Sequence, residues 1–300
     1  MSVIFLFIDG VGLGEEIESN PFYQFEYKGF SALTGGKNFL KSTEVVNRVD
    51  HVFKAVDATL DVEGLPQSGT GQTALFSGEN AAKEINKHFG PFPHSGIKPI
   101  LRNDSLFIKA QRMNKSCHFI NAYPEIFFKR ARKRNRWSST TLMAKSADLP
   151  LNSVTEIKKE KALTAGILQK AWREKLSIDV PEITAEMASN RLINQLINFD
   201  LVLFEYYLTD KAGHSKDMEV ANHYLKIYDR FLCHLIENKP DEATIVLCSD
   251  HGNVEDLSVK THTLNAVPLF VYGPGARHFT HATSIMDVTP GILRVLKEQS

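Results

Sequence analysis

The sequence predicts an α/β fold in which a mainly parallel central sheet is flanked by helices and carries a small inserted cap-like segment. Three observations carry that prediction. Short apolar runs of strand length alternate with longer segments of helical period, the pattern of a parallel sheet covered on both faces. Three of the apolar runs close on aspartate. The stretch from about 123 to 182 departs from the alternation with a dense basic tract.

Taken in order, Ser2–Ile8 and Val52–Val56 read as buried strands, and Ala74–Asn86 reads as a helix. His118–Asn121 is a third strand. After the basic tract come the helix Thr184–Asn198, the strand Leu201–Leu208 and the helix Met218–Glu237. Two more strands, Ala243–Cys248 and Val267–Tyr272, precede a last helix over Ile285–Lys297. The tract itself runs Lys129, Arg130, Ala131, Arg132, Lys133, Arg134, Asn135, Arg136, then Trp137 and a Ser/Thr cluster. No Gly/Ser/Pro linker separates it from the rest, so 1–300 is read as one domain with an elaboration over about 123–182.

Composition narrows the function classes. Lys+Arg and Asp+Glu are 35 each, which argues against a general nucleic-acid binder. The 43% hydrophobic content suits a soluble protein with a sizeable core. The three cysteines, Cys117, Cys233 and Cys248, are far apart and match neither a disulfide framework nor a metal-ligand spacing. No run reaches membrane-spanning length, and Val3–Ile8 is too short for a signal-peptide core, so the expected location is the cytoplasm.

The aspartates are Asp9, Asp210 and Asp250, each at or just past the end of an apolar run. Ligands of open α/β sheets bind outside the carboxyl ends of the strands, so the three can converge on one edge. His214 follows Asp210 by one helical turn, His251 adjoins Asp250, and His262 sits in Thr-His-Thr before the last strand. Taken alone, a strand-end aspartate is an ordinary cap or turn residue. Six such groups together point to metal, and oxygen plus imidazole ligands suit Zn²⁺ or Mn²⁺. Six ligands serve two divalent ions with positions left open for substrate. The other histidines, among them His88 and His118, have no such company and are read as structural.

A candidate nucleophile lies in Gly64–Gly78, where Gly64, Gly69 and Gly71 allow close backbone approach and Thr73 stands where the helical pattern begins. A hydroxyl at a helix start lies near unpaired N–H groups, which favour a phosphoryl group. Ser68, Thr70 and Ser77 compete by composition, and the plainer alternative is that Thr73 caps the helix. Neither a P-loop nor a dinucleotide fingerprint is satisfied: the first lacks its lysine, and Ile17 stands where the second needs a third glycine.

Together these residues resemble the alkaline phosphatase superfamily, and within it the cofactor-independent phosphoglycerate mutase branch, with phosphopentomutase-like enzymes alongside. The resemblance rests on Phe7–Gly12 with Asn20-Pro21, Thr70-Gly-Gln-Thr73, Asp210-x3-His214, Ser249–Asn253, His262-Thr with Val267-Pro268, and Asp287–Pro290. It is spread over the chain and weak between about 85 and 195. It implies an alkaline-phosphatase-like core and two ions. One would be held by Asp210, His214 and His262, the other by Asp9, Asp250, His251 and the Thr73 oxygen. It also implies phosphoryl transfer through Thr73. Mutases of this branch use serine and carry a large inserted domain, whereas the middle of this chain is short. Hydrolysis of a phosphomonoester or diester through a phosphothreonine is therefore the expected reaction. The alternatives are an intramolecular phosphomutase and a non-catalytic sensor of a phosphorylated ligand. The expected partner is a small phosphorylated substrate, with neither nucleic acid nor membrane. Arg130, Arg132, Arg134 and Arg136 are candidates for binding its anionic remainder, against the simpler reading of a solvated face.

Overall fold

The computed structural model describes residues 1–298. Seven strands, β1 (Val3–Ile8), β2 (Val46–Asn47), β3 (His51–Val56), β4 (Cys117–Phe119), β5 (Leu201–Tyr206), β6 (Thr244–Cys248) and β7 (Val267–Tyr272), form one sheet in the order β2-β3-β7-β6-β1-β5-β4. β4, β5, β1 and β6 are parallel neighbours, while β7, β3 and β2 extend the sheet through antiparallel pairs. The fold is thus α/β with a mixed sheet whose central strands are parallel. The two-residue edge strand β2 has no expected counterpart, because Val46-Asn47 is too short and polar to show a period.

β1 explains the layering. All six of its residues are buried, as a strand covered on both faces requires. Val3, Phe5 and Phe7 point into one apolar cluster with Phe76, Phe107, Met143 and Ile292, and the rings of Phe5 and Phe7 meet Phe76 edge-on at 6.0 and 5.2 Å. Ile4, Leu6 and Ile8 point into the other, which holds Phe30, Leu192, Leu225 and Phe231. The helix Met218–Asn238 buries Ala221, Leu225, Tyr228, Leu232 and Leu235, a stripe at helical spacing capped by the Asp217 carboxylate.

The expected helix Ala74–Asn86 is displaced and divided. It runs from Ser68 to Ser77, stops at left-handed Gly78, and resumes over Ala81–Glu84. Thr73 is therefore the sixth residue of a fully buried helix and not its start, which corrects that expectation. The strand expected over Leu201–Leu208 ends at Tyr206, and a helix spans Leu208–Ser215. Between 123 and 182 the chain forms four helices, Glu125–Arg134, Ser139–Ser146, Val154–Lys158 and Lys170–Leu176. Leu142 and Met143 of the second join the main core, while Ile157, Ala162, Trp172 and Val180 make a small separate cluster. Among the described residues no helix is long and apolar enough to cross a membrane.

Candidate functional site

The topology brings five chain segments to one sheet edge. β6, β1 and β5 are adjacent and parallel, with Phe7 opposite Cys248 and Ile8 opposite Tyr206. Asp9, Ser249-Asp250 and the turn to Asp210 therefore leave the sheet side by side. β7 is antiparallel to β6, so its start, and His262 just before it, lies at the same edge. β3 is antiparallel to β7, with Val56 opposite Val267, and its carboxyl end leads along that edge to Ser68.

Two groups of ligand atoms result. In the first, His214 Nε2 lies 3.4 Å from Asp210 Oδ2, His262 Nε2 lies 3.5 Å from Asp210 Oδ1, and the two imidazole nitrogens are 3.3 Å apart. In the second, His251 Nε2 lies 3.5 Å from both Asp9 Oδ1 and Asp250 Oδ2. Ligands about 2.0–2.2 Å from a shared tetrahedral centre are separated by roughly these distances. The His251 and His262 rings stack at 3.7 Å and join the two groups. The six aspartates and histidines among the seven expected ligands are thus brought together, and the seventh, the Thr73 hydroxyl, is not.

Fit to cations is supported independently by unmet polar atoms. Asp9 Oδ1 and Asp250 Oδ2 are buried without a hydrogen-bond partner among the described residues. The ligand atoms of Asp9, Asp250 and His251 all lie within 4.8 Å of one another. At that spacing two ionised carboxylates repel by about 3–4 kcal/mol even at an effective dielectric constant of 20. Burial, and then the neighbouring carboxylates, accordingly push both aspartates above the usual carboxylate range. Burial drives the His251 imidazole down to about 3, with His262 reinforcing it, so the ring is neutral and able to ligate. Divalent cations would relieve this clustering.

Outer contacts orient the ligands as metal sites require. His262 Nδ1 is 2.7 Å from Pro66 O and His214 Nδ1 is 3.0 Å from Lys260 O, leaving each Nε2 for the cluster. Asn253 donates to Asp210 Oδ1 at 2.7 Å, and Gln72 donates to Asp9 Oδ2 at 3.3 Å. Buried Glu255 accepts from the Gly12 and Asn253 amides at 2.8 and 2.7 Å and from Thr263 Oγ1, fastening three loops together. Behind Asp9, Glu205 of β5 accepts from Thr140 at 2.9 Å and Tyr123 at 3.3 Å, and burial raises its carboxyl to about 7. Gln72, Asn253, Glu255 and Glu205 were missed at the sequence level. Glu255 lay five residues past Asp250 as the one visible hint; the others carried none.

The hydroxyl at the cluster is Ser68, not Thr73. Ser68 Oγ lies 3.0 Å from His251 Nε2, whereas Thr73 Oγ1 is buried and donates back along its helix to Gly69 O at 2.6 Å. Of the basic run, Arg130, Arg132 and Arg134 are exposed on the helix Glu125–Arg134, and Arg136 is exposed just beyond it. None of the four bonds to the cluster. Arg136 instead lies over the Phe92 ring, 5.5 Å from its centroid.

Comparison with known proteins bears on this geometry. The 2,3-bisphosphoglycerate-independent phosphoglycerate mutase of Methanococcus aeolicus is 22% identical over 258 residues, covering 77% of this chain and 62% of that protein. The enzyme of the same description from Cereibacter sphaeroides is 33% identical over 129 residues, 39% of this chain and 25% of its own. The phosphopentomutase of Mycoplasmopsis pulmonis is 22% identical over 121 residues, 40% of this chain and 30% of its own. The chain thus spans at most about three fifths of the curated relatives named here. Among solved structures, alkaline phosphatase from the Antarctic bacterium TAB5 superposes with a TM-score of 0.59 at 16% identity, covering 99% of this chain and 98% of the other. Leishmania mexicana phosphoglycerate mutase gives 0.52 at 13% identity, with 98% and 95% covered. These likenesses establish an alkaline-phosphatase-like fold. The family described as Metalloenzyme superfamily matches residues 1–298, which makes divalent metal ions the implied cofactor, and the chain belongs to that superfamily.

Proposed function

We propose that the chain is a phosphohydrolase that cleaves a small phosphate ester at a two-cation site through a phosphoserine on Ser68. The observation that carries this reading is the Ser68 hydroxyl, 3.0 Å from His251 Nε2 and at the first position of a ten-residue helix. Asp210, His214 and His262 would hold one cation, and Asp9, Asp250 and His251 the other, with Ser68 Oγ beside it. Mn²⁺ and Zn²⁺ suit this mixed oxygen and imidazole set. When bound, the ions supply charge neutralisation and a lowered hydroxyl pKa.

The residues of the chain supply position. Thr70 N–H is satisfied by Phe89 O and Gly71 N–H by Gln67 O, while the Ser68 and Gly69 amides have no acceptor among the described residues. Those two N–H groups at a helix start suit phosphoryl oxygens. The Ser68 oxygen bonds to phosphorus as the ester oxygen leaves with a proton, and water then hydrolyses the phosphoserine. The His214 side chain is 43% exposed, so one half of the site is open to that water. This access favours hydrolysis. The relatives described as mutases favour a second reading, in which the phosphoryl group returns to another hydroxyl of the same substrate.

The test is turnover of phenyl phosphate and diphenyl phosphate by protein stripped of metal and reloaded with Mn²⁺, Zn²⁺ or Mg²⁺. Metal-dependent phosphate release is expected, and Ser68→Ala is expected to lower it at least ~10³-fold. Full activity in Ser68→Ala would remove Ser68 from the mechanism. Isomerisation of a sugar phosphate or phosphoglycerate without phosphate release would replace hydrolysis by the mutase reading.

A further inference from the structure

Glu255 belongs to neither ligand group, yet it is wholly buried and in no ion pair among the described residues. Its two oxygens meet four donors. Oε2 accepts from the Gly12 and Asn253 amides at 2.8 and 2.7 Å. Oε1 accepts from Thr263 Oγ1, and from Asn265 Nδ2 at 3.1 Å. An ionised carboxylate offers about four acceptor positions, so these donors fill it and leave no place for a proton. Glu255 is therefore an anion. The backbone is shaped to admit it: a β-carbon on Gly12 or Gly252 would lie 2.3 or 2.2 Å from Glu255 Oε1.

A buried charge is ordinarily paired with an opposite charge or a metal. Every group around Glu255 leads to the cluster. Thr263 follows His262, and Gly252 and Asn253 follow His251. The Asn253 side chain donates to Asp210 Oδ1 at 2.7 Å. Gly12 stands three positions past Asp9, and Gly10 N–H lies 3.4 Å from Asp250 Oδ1. The cluster also lacks a charge. Asp9, Asp210 and Asp250 bring three negative charges at most, and histidines ligate as neutral rings. Two divalent cations would leave one positive charge over. Glu205 behind Asp9 is held by burial at about 7 and is ionised only in part near neutrality. Glu255 carries its charge outright.

We propose that Glu255 is the positioning residue and counter-charge of the cation pair. It fastens the loops that carry Asp250, His251 and His262, and it balances the charge that the three ligand aspartates leave over. This role rests on the two-cation reading of the site and on neither Ser68 nor hydrolysis.

Mn²⁺ uptake by the metal-stripped full chain tests it, with calorimetry giving the affinities and electron paramagnetic resonance counting the bound ions. Glu255→Gln keeps the shape and removes the charge, because the Thr263 hydroxyl and a turned Asn265 amide can both accept from the new NH₂ group. The parent is expected to take up two Mn²⁺. Glu255→Gln should hold the weaker of them at least ~10-fold less tightly. Glu255→Gln/Asn265→Asp moves the carboxylate across the same hydrogen bond and should recover most of that loss. Thr263→Val removes a donor but no charge and should lose much less than Glu255→Gln. Unchanged affinities in Glu255→Gln, no recovery in the double variant, or an equal loss in Thr263→Val overturns the role. So does a Glu255→Gln chain that circular dichroism shows to be unfolded without metal. A parent that takes up fewer than two Mn²⁺ overturns the two-cation reading with it. The expected pattern of uptake without phosphate release upholds the role and overturns hydrolysis instead.

Discussion

Ser68 and Thr73 stand on one helix, and helical geometry separates their hydroxyls. Five positions rotate a side chain by about 140°, so only one of the two can face the cluster. Ser68 does so from the first turn, where the helix meets the sheet edge. Thr73 faces inward, and its hydroxyl donates back to the Gly69 carbonyl. A bond of that kind contributes about 1 kcal/mol net. Thr73→Ala is therefore expected to keep turnover within about threefold of the parent while lowering stability by about 1–2 kcal/mol, read from steady-state kinetics and denaturant unfolding. Loss of turnover on the scale of Ser68→Ala would return the nucleophile to Thr73.

The helix Ser68–Ser77 acts as an element because it lies directly against the end of β6. At Gly71 a β-carbon would fall 2.7 Å from Asp250 O, a backbone atom that has little freedom to retreat. Gly71→Ala must therefore push the helix from the sheet edge, moving Ser68 relative to His251. Overpacking of this kind costs about 1–3 kcal/mol. The expected outcome is a lower thermal midpoint together with at least a tenfold loss of kcat, and an unchanged kcat would show that the helix is free to slide. The same element shows which features could be read from sequence. The apolar runs of β1, β5, β6 and β7 and the paired positions of Asp210 with His214 are local in sequence, and the six ligand candidates followed from them. The register of the helix Ser68–Ser77 is not local. Its first turn, Ser68–Gly71, has two glycines and no apolar period, and it is held as helix by tertiary contacts, including the Phe89 carbonyl. Propensity placed the start at Ala74 and so singled out Thr73, whose hydroxyl in the fold turns back to the Gly69 carbonyl. Glu205 escaped notice for a related reason: a single carboxylate in an apolar strand carries no motif, and its partners Tyr123 and Thr140 are remote in sequence.

For the whole molecule, the buried cluster couples folding to pH and to cations. In metal-free protein Asp9 and Asp250 have carboxyl groups raised by burial and mutual repulsion, Asp250 to about 7. Groups raised in the folded state contribute stability below their unfolded pKa, near 4, and lose it as pH rises through the folded value. His251 has the opposite sign. Its folded value is lowered to about 3, so its contribution is full above the unfolded pKa of roughly 6.5 and fades as pH falls. The two effects oppose each other between about pH 4 and 6.5. Above that interval His251 is neutral in both states and only the carboxylate effect remains. The thermal midpoint of metal-free protein should accordingly fall between about pH 6.5 and 8. Cations take the place of the protons and need the carboxylates ionised, so stabilisation by a fixed Mn²⁺ concentration should grow over the same interval. A cation present at 100 times its dissociation constant adds about 2.7 kcal/mol. That corresponds to a rise of about 4 °C for a chain of this size. Replacing Asp250 by Asn removes one of the repelling charges. The variant should melt higher than the parent without metal at pH 8, yet gain little from Mn²⁺. A metal-free midpoint that rises with pH, or an Asp250→Asn variant that responds to Mn²⁺ as the parent does, would show that this cluster is not where the cation binds.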